Sequence, residues 1–206
     1  MKNIYVILII LISIITKSQT VIDINDTTYS TSNNTYYDYY KKDINNLLDP
    51  FQGTYIYNNG TTSFKIILKK MIKQSTGLHY EDMIIGEYQY IKNGVEKINT
   101  LSNLDIVYSN QYLRHCIAGN SIISNINHRL WKCPQCNPNE KRVRLTITDK
   151  LTNRYADILM RRTVINGQQV LQVKIANPNS VVYDVETQNP PADFSLPIGE
   201  FTMIKQ

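Results

Sequence analysis

Cysteine and histidine are the side chains here best suited to metal, redox or nucleophilic chemistry. The stretch WKCPQCNPNE, residues 131–140, sets Cys133 and Cys136 three apart, and one further cysteine, Cys116, follows His115. A structural zinc site usually takes four ligands, often as two close pairs. Only one pair is present, so a Cys3His set would have to draw Cys116 and His115 or His128 to the Cys133–Cys136 loop. A redox pair needs a thiolate of lowered pKa, commonly at a helix N-terminus. The residues after Cys136, NPNEKR, lead instead into a strand pattern, and a βαβ context is missing. The third chemistry is a disulfide, with Cys116, Cys133 and Cys136 as candidates. One loop cysteine bonding Cys116 would tie a long loop to a strand, while Cys133 with Cys136 would close a small ring. Three cysteines leave one unpaired in either case. The missing zinc partners and an oxidising compartment (argued below) favour the staple.

Other catalytic patterns are weak. The chain lacks a Gly-x-Ser-x-Gly elbow, a His-Glu-x-x-His helix and a phosphate-binding glycine loop. It has three histidines, His79, His115 and His128. Glu81 and Asp82 are adjacent on a strand pattern and would face opposite ways. Glu87 and Asp157 read as single acids with nothing visible to tune them. No catalytic residue, cofactor or metal is assigned on this basis. Net charge is +5, milder than a nucleic-acid binder needs. Arg142 and Arg144 fall on the outer face of an alternating strand, the ordinary place for charge.

The N-terminus reads MKNIYVILIILISIITKSQ: a lysine, an apolar run from Ile4 to Ile15, then small residues Thr16 and Ser18. That is the order of a secretory signal, residues 1–18, with cleavage expected before Gln19. The run is shorter than the roughly 20 residues of a membrane span, so no transmembrane segment is expected after cleavage. The expected location is secreted or periplasmic, where disulfides persist and nucleic acid is not a natural partner. Losing Lys2 and Lys17 would bring the charge from +5 to +3.

These chemistries need a scaffold to hold them. Residues 19–48 read as a polar leader rich in Thr, Ser, Asn and Asp; its YYDYY cluster, residues 36–40, would dock on the domain or bind a partner. A single domain is expected over 49–206. Three Asn-Gly pairs, Asn59–Gly60, Asn93–Gly94 and Asn166–Gly167, lie between β-favouring runs and predict type I′ hairpins. In KRVRLTITD, Val143, Leu145 and Ile147 share one face; in QQVLQVKIA, Leu171, Val173 and Ile175 do. A short helix is expected near SNLDIVYS, with Ser102 as its N-cap. Residues 101–112 would cross one end of the fold, and a Pro190–Pro191 connection would lie on the surface. Roughly eight to ten short strands joined by tight turns predict an all-β protein, an antiparallel meander closing into a barrel.

Two resemblances accompany this reading. KKDINNLLDPFQGTYIYNNGTTSFKIILKK, HYEDMIIGEYQYIKNGVEKINTL, CPQCNPNEKRVRL and FSLPIGEFTMIKQ resemble an uncharacterised family of small secreted proteins of Bacteroidetes type. That resemblance implies export and one compact domain, and carries no assigned activity. Gly53-Thr54-Tyr55 resembles the Gly-x-Trp that opens the first strand of lipocalin-like (calycin) barrels, with tyrosine in place of the ring that plugs the barrel base.

The functional expectation is a non-enzymatic binding or envelope-interaction module, with an unknown small ligand or an envelope component as partner. The alternatives are an envelope-directed hydrolase and a small zinc-bearing structural protein. A pocket inside the barrel would favour ligand binding there. An interior filled with side chains would favour an interaction surface outside, and clustered carboxylates in a cleft would favour the enzyme.

Overall fold

A computed structural model describes residues 19–26, 39–179 and 192–206. The expected signal, Tyr36 to Asp38 of the tyrosine cluster and the Pro190–Pro191 connection lie outside these residues.

Strand alternation with small turns builds a closed antiparallel barrel of eight strands. In order around the wall these are β3 (Gly53–Asn59), β4 (Thr62–Ser75), β5 (Tyr80–Lys92), β7 (Ile117–Ile123), β8 (Arg142–Asp149), β9 (Arg154–Ile165), β10 (Gln168–Ala176) and β11 (Gly199–Lys205). The seam between β11 and β3 is short, with Ile204 opposite Ile56 and Lys205 opposite Tyr55. The Gln206 N–H adds a bond to the Thr54 carbonyl at 3.0 Å.

Three further strands are added outside the barrel circuit. β6 (Val95–Asn99) folds back on the end of β5. β2 (Tyr39–Lys42) pairs parallel with the start of β5, and β1 (Thr20–Asp23) pairs parallel with β2. Tyr39 and Tyr40 are buried here, Tyr39 stacked on His79 with ring centroids 4.5 Å apart. Asp82 fixes this edge by accepting bonds from Tyr40 Oη, the Asp43 N–H and the Lys73 N–H.

Asn93–Gly94 and Asn166–Gly167 each form a two-residue loop with positive φ at both positions, as a type I′ turn requires. The first hairpin differs. Asn59 stays in the ladder opposite Thr62, the loop is Gly60–Thr61, and only Gly60 has positive φ. The loop begins one residue later than the Asn-Gly pair predicts, so the glycine takes its first position rather than its second.

The interior is filled. Phe64, Ile66, Ile84, Tyr88, Ile117, Val143, Ile147, Ile158, Leu171, Val173 and Met203 belong to one core cluster. An eight-stranded barrel is just wide enough for side chains to fill it. Tyr55, the residue of the lipocalin-like motif, is fully buried in this core, and burial pushes its hydroxyl up to about 12. Leu48 and Phe51, the latter on a 3-10 turn over Asp49–Phe51, join the same cluster. Nearby, Lys70 is paired with the buried Asp43 at 2.8 Å and with Asp49. Tyr88 ties β5 to the end of β8. Its hydroxyl donates to the Thr148 carbonyl at 3.1 Å and accepts from the Lys150 N–H at 3.0 Å.

Three expectations are corrected. The 101–112 connection lies against the outside of β5 rather than across an end: on either side of it, Thr100 bonds both ways with the Tyr88 backbone and His115 meets Glu87. Its helix is α1 (Gln111–Arg114), capped by Asn110 rather than Ser102, because the Asn110 side chain accepts from the Leu113 N–H at 3.2 Å. Residues 101–103 form only a 3-10 turn. Arg142 faces outward as alternation requires, yet it is not at the surface. The 124–141 loop folds over it, and the guanidinium donates to the carbonyls of Trp131 and Asn125, each at 2.7 Å. Trp131 packs with Leu130, Ile123 and Leu159 in a separate apolar cluster outside the wall.

Candidate functional site

With Val143, Leu145 and Ile147 turned inward, Arg144, Thr146 and Thr148 must point out. Register carries this across the sheet. Ala118 on β7 and Asp157 on β9 lie opposite Thr146, and Tyr155 lies opposite Thr148. This face therefore carries small and hydroxylated residues flanked by a tyrosine. The β7–β8 ladder shifts register between Ala118 and Ser121, an irregularity of the kind that re-aims side chains beside binding sites.

Helix α1 stands over this face. Its Tyr112 and Leu113 are exposed while Gln111 is buried. Beneath it lies a polar cluster. His115 Nδ1 donates to Glu87 Oε1 at 2.9 Å, and its Nε2 lies 2.8 Å from Gln111 Oε1. The Cys116 N–H also reaches Glu87 Oε1, at 3.4 Å. Neither side chain of the pair is exposed: 0% for His115 and 1% for Glu87. Burial alone would push the Glu87 carboxyl up. The bond from His115, with Cys116 and Thr100 beside it, outweighs that and holds it below the ordinary glutamate range. Glu87 Oε2 accepts no bond from the described residues. A carboxylate buried this far is costly to leave without its hydrogen-bond partner, so the Glu87–His115 contact fixes the position of α1. Tyr108 adds an edge-on ring contact to His115, centroids 5.3 Å apart. On the other side, Asn110 Nδ2 donates to the Thr76 carbonyl at 3.1 Å.

Between α1 and the wall is a hollow of about 320 Å3, bordered by Tyr112, Leu113, His115, Ala118, Thr146, Thr148 and Tyr155. A second hollow of about 200 Å3 shares Tyr112, Ala118 and Thr146 with it and continues toward Glu81, Asn120 and Arg144. Together they form one groove outside the barrel. Its charges are already engaged. Arg144 is paired with Asp157 at 2.7 Å, and Glu81 takes a bond from Asn120 at 3.0 Å and lies beside His79. The hydroxyls of Tyr112, Tyr155, Thr146 and Thr148 are free of hydrogen bonds to other described residues.

The cysteines are distributed differently. Cys133 and Cys136 are bonded to each other, so the staple is a ring within the 124–141 loop rather than a tie to the strand of Cys116. Cys116 is a free, buried thiol that donates to Thr100 Oγ1 at 3.4 Å, and burial foremost pushes it up to about 12. His128 sits on the loop, its Nδ1 accepting from the Leu130 N–H at 3.4 Å; burial and the charges of Arg142, Arg144 and Arg129 lower its pKa. Among the described residues no group of three or more His, Cys, Asp or Glu is placed to hold a metal ion. Cys116, Cys133, Cys136 and His128 are thus not assembled as ligands.

Glu87 and Asp157, read as isolated acids in the sequence, both have partners. The signals available were weak: Gln111 and His115 at helical i, i+4 spacing, and a glutamate among apolar β5 residues. Glu81 and Asp82 do diverge, toward Asn120 and Tyr40 respectively.

The chain belongs to a family described as "Family of unknown function (DUF6705)", matched over residues 1–206. No curated protein and no solved structure matches it.

Proposed function

From membership of a family without an assigned activity, we propose that this protein is an exported, non-enzymatic binding module. Its recognition surface is the groove between α1 and the outer face of β7–β9. One observation carries the reading. The barrel interior is occupied by its own side chains, whereas the groove outside is open and has a rim held in place from behind. Ligand sites are concave, partly apolar and carry a few placed polar groups; a supporting shell that locks the rim is what such a site needs. A hydrolase is disfavoured because both nitrogens of His115 are engaged and its side chain has no exposed surface. No helix among the described residues is long and apolar enough to cross a membrane.

Export is supported by the order of features in residues 1–18 and by the Cys133–Cys136 bond, which an oxidising compartment would preserve. The mature chain recovered from its native host should begin at Gln19; an intact N-terminal Met1 in the mature protein would remove this part of the reading.

The binding surface is tested by screening a small-molecule fragment library against 15N-labelled protein. Amide shifts should gather at Tyr112, Ala118, Thr146 and Tyr155. Shifts gathered on interior residues such as Tyr88 and Leu171, or none anywhere, would refute the assignment.

A further inference from the structure

We infer that the groove takes a neutral saccharide; this rests on the groove being the binding surface, and adds the chemistry of its occupant. Three observations point the same way.

The first is the kind of polar group left free. Thr146, Thr148, Tyr112 and Tyr155 converge on the larger hollow, and their hydroxyls bond to no other described residue. A hydroxyl both donates and accepts, so such a set matches a ligand whose own groups are hydroxyls of either role.

The second is charge. The ionic side chains lining the groove have partners among the described residues: Arg144 is ion-paired with Asp157, Glu81 accepts from the neutral Asn120 amide and lies beside His79, and Glu87 meets His115 behind the wall. Arg144 on the groove lining is already occupied by Asp157, which weakens the draw for an anionic polymer, and Glu81 already accepts from Asn120, which weakens it for a cationic one.

The third is shape. Tyr155 and Tyr112 present exposed rings, 55% and 38% accessible, above a floor of alanine and threonine. A tyrosine offers an apolar face with a polar tip, which suits a sugar ring having an apolar face and a polar edge. The larger hollow is at the small end of ligand sites, and the adjoining one extends it. An oligosaccharide of more than one ring fits this outline. An extended peptide is disfavoured because β8 beneath the groove is paired with β7 and β9 on both sides and offers no edge to add to.

The test titrates 15N-labelled protein with maltohexaose, cellohexaose and chitohexaose, alongside an oligogalacturonate and a leucine-rich peptide. At least one neutral saccharide should shift the amides of Ala118, Thr146, Thr148 and Tyr155 and leave those of the Trp131 loop unmoved. Tyr155→Ala should weaken that binding about tenfold. Thr148→Val, which keeps the shape and removes the hydroxyl, should weaken it about fivefold. Both positions are on the outer face, so folding is checked by an unchanged amide spectrum elsewhere. No shift with any neutral saccharide, or wild-type affinity in both variants, overturns the inference. If only the oligogalacturonate or the peptide binds at these amides, the neutral character of the ligand or its saccharide class is wrong and the binding surface stands. If these probes and the fragment library all leave the groove unmoved, both fall.

Discussion

His115→Ala is the most informative perturbation. It removes the imidazole from Glu87 Oε1 at 2.9 Å and from Gln111, leaving a carboxylate only 1% exposed with the Cys116 N–H at 3.4 Å and Thr100 beside it. Breaking one partner of a buried pair costs about 3–5 kcal/mol, because the other charge stays buried without compensation. In a domain of this size each kcal/mol moves the midpoint by about 2–4 °C, so a fall of roughly 6–20 °C is expected. The double variant Glu87→Leu with His115→Leu leaves no buried charge and should cost less than His115→Ala alone. Urea denaturation followed by circular dichroism measures all three chains. The pH dependence has a defined sign. Glu87 is held below its ordinary value in the folded chain, so its contribution is present above the unfolded pKa of about 4.3 and fades as pH falls through the lower folded value. The gap between wild type and Glu87→Gln should narrow on acidification through that range. A loss under about 1 kcal/mol for His115→Ala would show that the pair does not hold α1, since that is the scale of an exposed pair.

Three other outcomes test the rest of the scaffold. Gly86→Ala would set a Cβ 2.8 Å from the Ile67 carbonyl and 2.6 Å from Leu68 Cδ2; crowding of about 1–3 kcal/mol should exceed the gain of about 0.4–1 kcal/mol from a stiffer unfolded chain, and a urea midpoint equal to wild type would contradict it. Arg142→Met should lose about 3 kcal/mol with its bonds to the Trp131 and Asn125 carbonyls. Emission from the single tryptophan should shift to the red, and an unchanged spectrum would mean that the loop is held otherwise. Cys116, with its thiol pushed up to about 12, should not react with a thiol reagent at pH 8 in the native protein. One thiol should react after unfolding and three after unfolding with reduction, and a different count would contradict the pairing.

Much of the barrel was legible because its signals are local. Period two in Val143, Leu145 and Ile147 and in Leu171, Val173 and Ile175 fixes which side chains turn inward, whatever the neighbouring strands are. Asn-Gly with positive φ at both residues sets the turns at 93–94 and 166–167 from the turn residues alone. The first turn slipped to Gly60–Thr61, where the register of β3 on β4 is free to choose which residue takes the positive φ.

The groove was not legible, because its parts are distant in the chain. Glu87 and His115 are 28 residues apart, and Arg144 meets Asp157 only across a ladder. Arg142 reads as a surface charge until a loop closes over it. The sequence by itself determined the strand faces, the turns and the number of cysteines, since each depends on residues adjacent in the chain. Only the tertiary structure decided which cysteines pair, which acids find partners and where an open surface remains. Those depend on which strand edges meet and what the connections cover, and neither is written in any single segment.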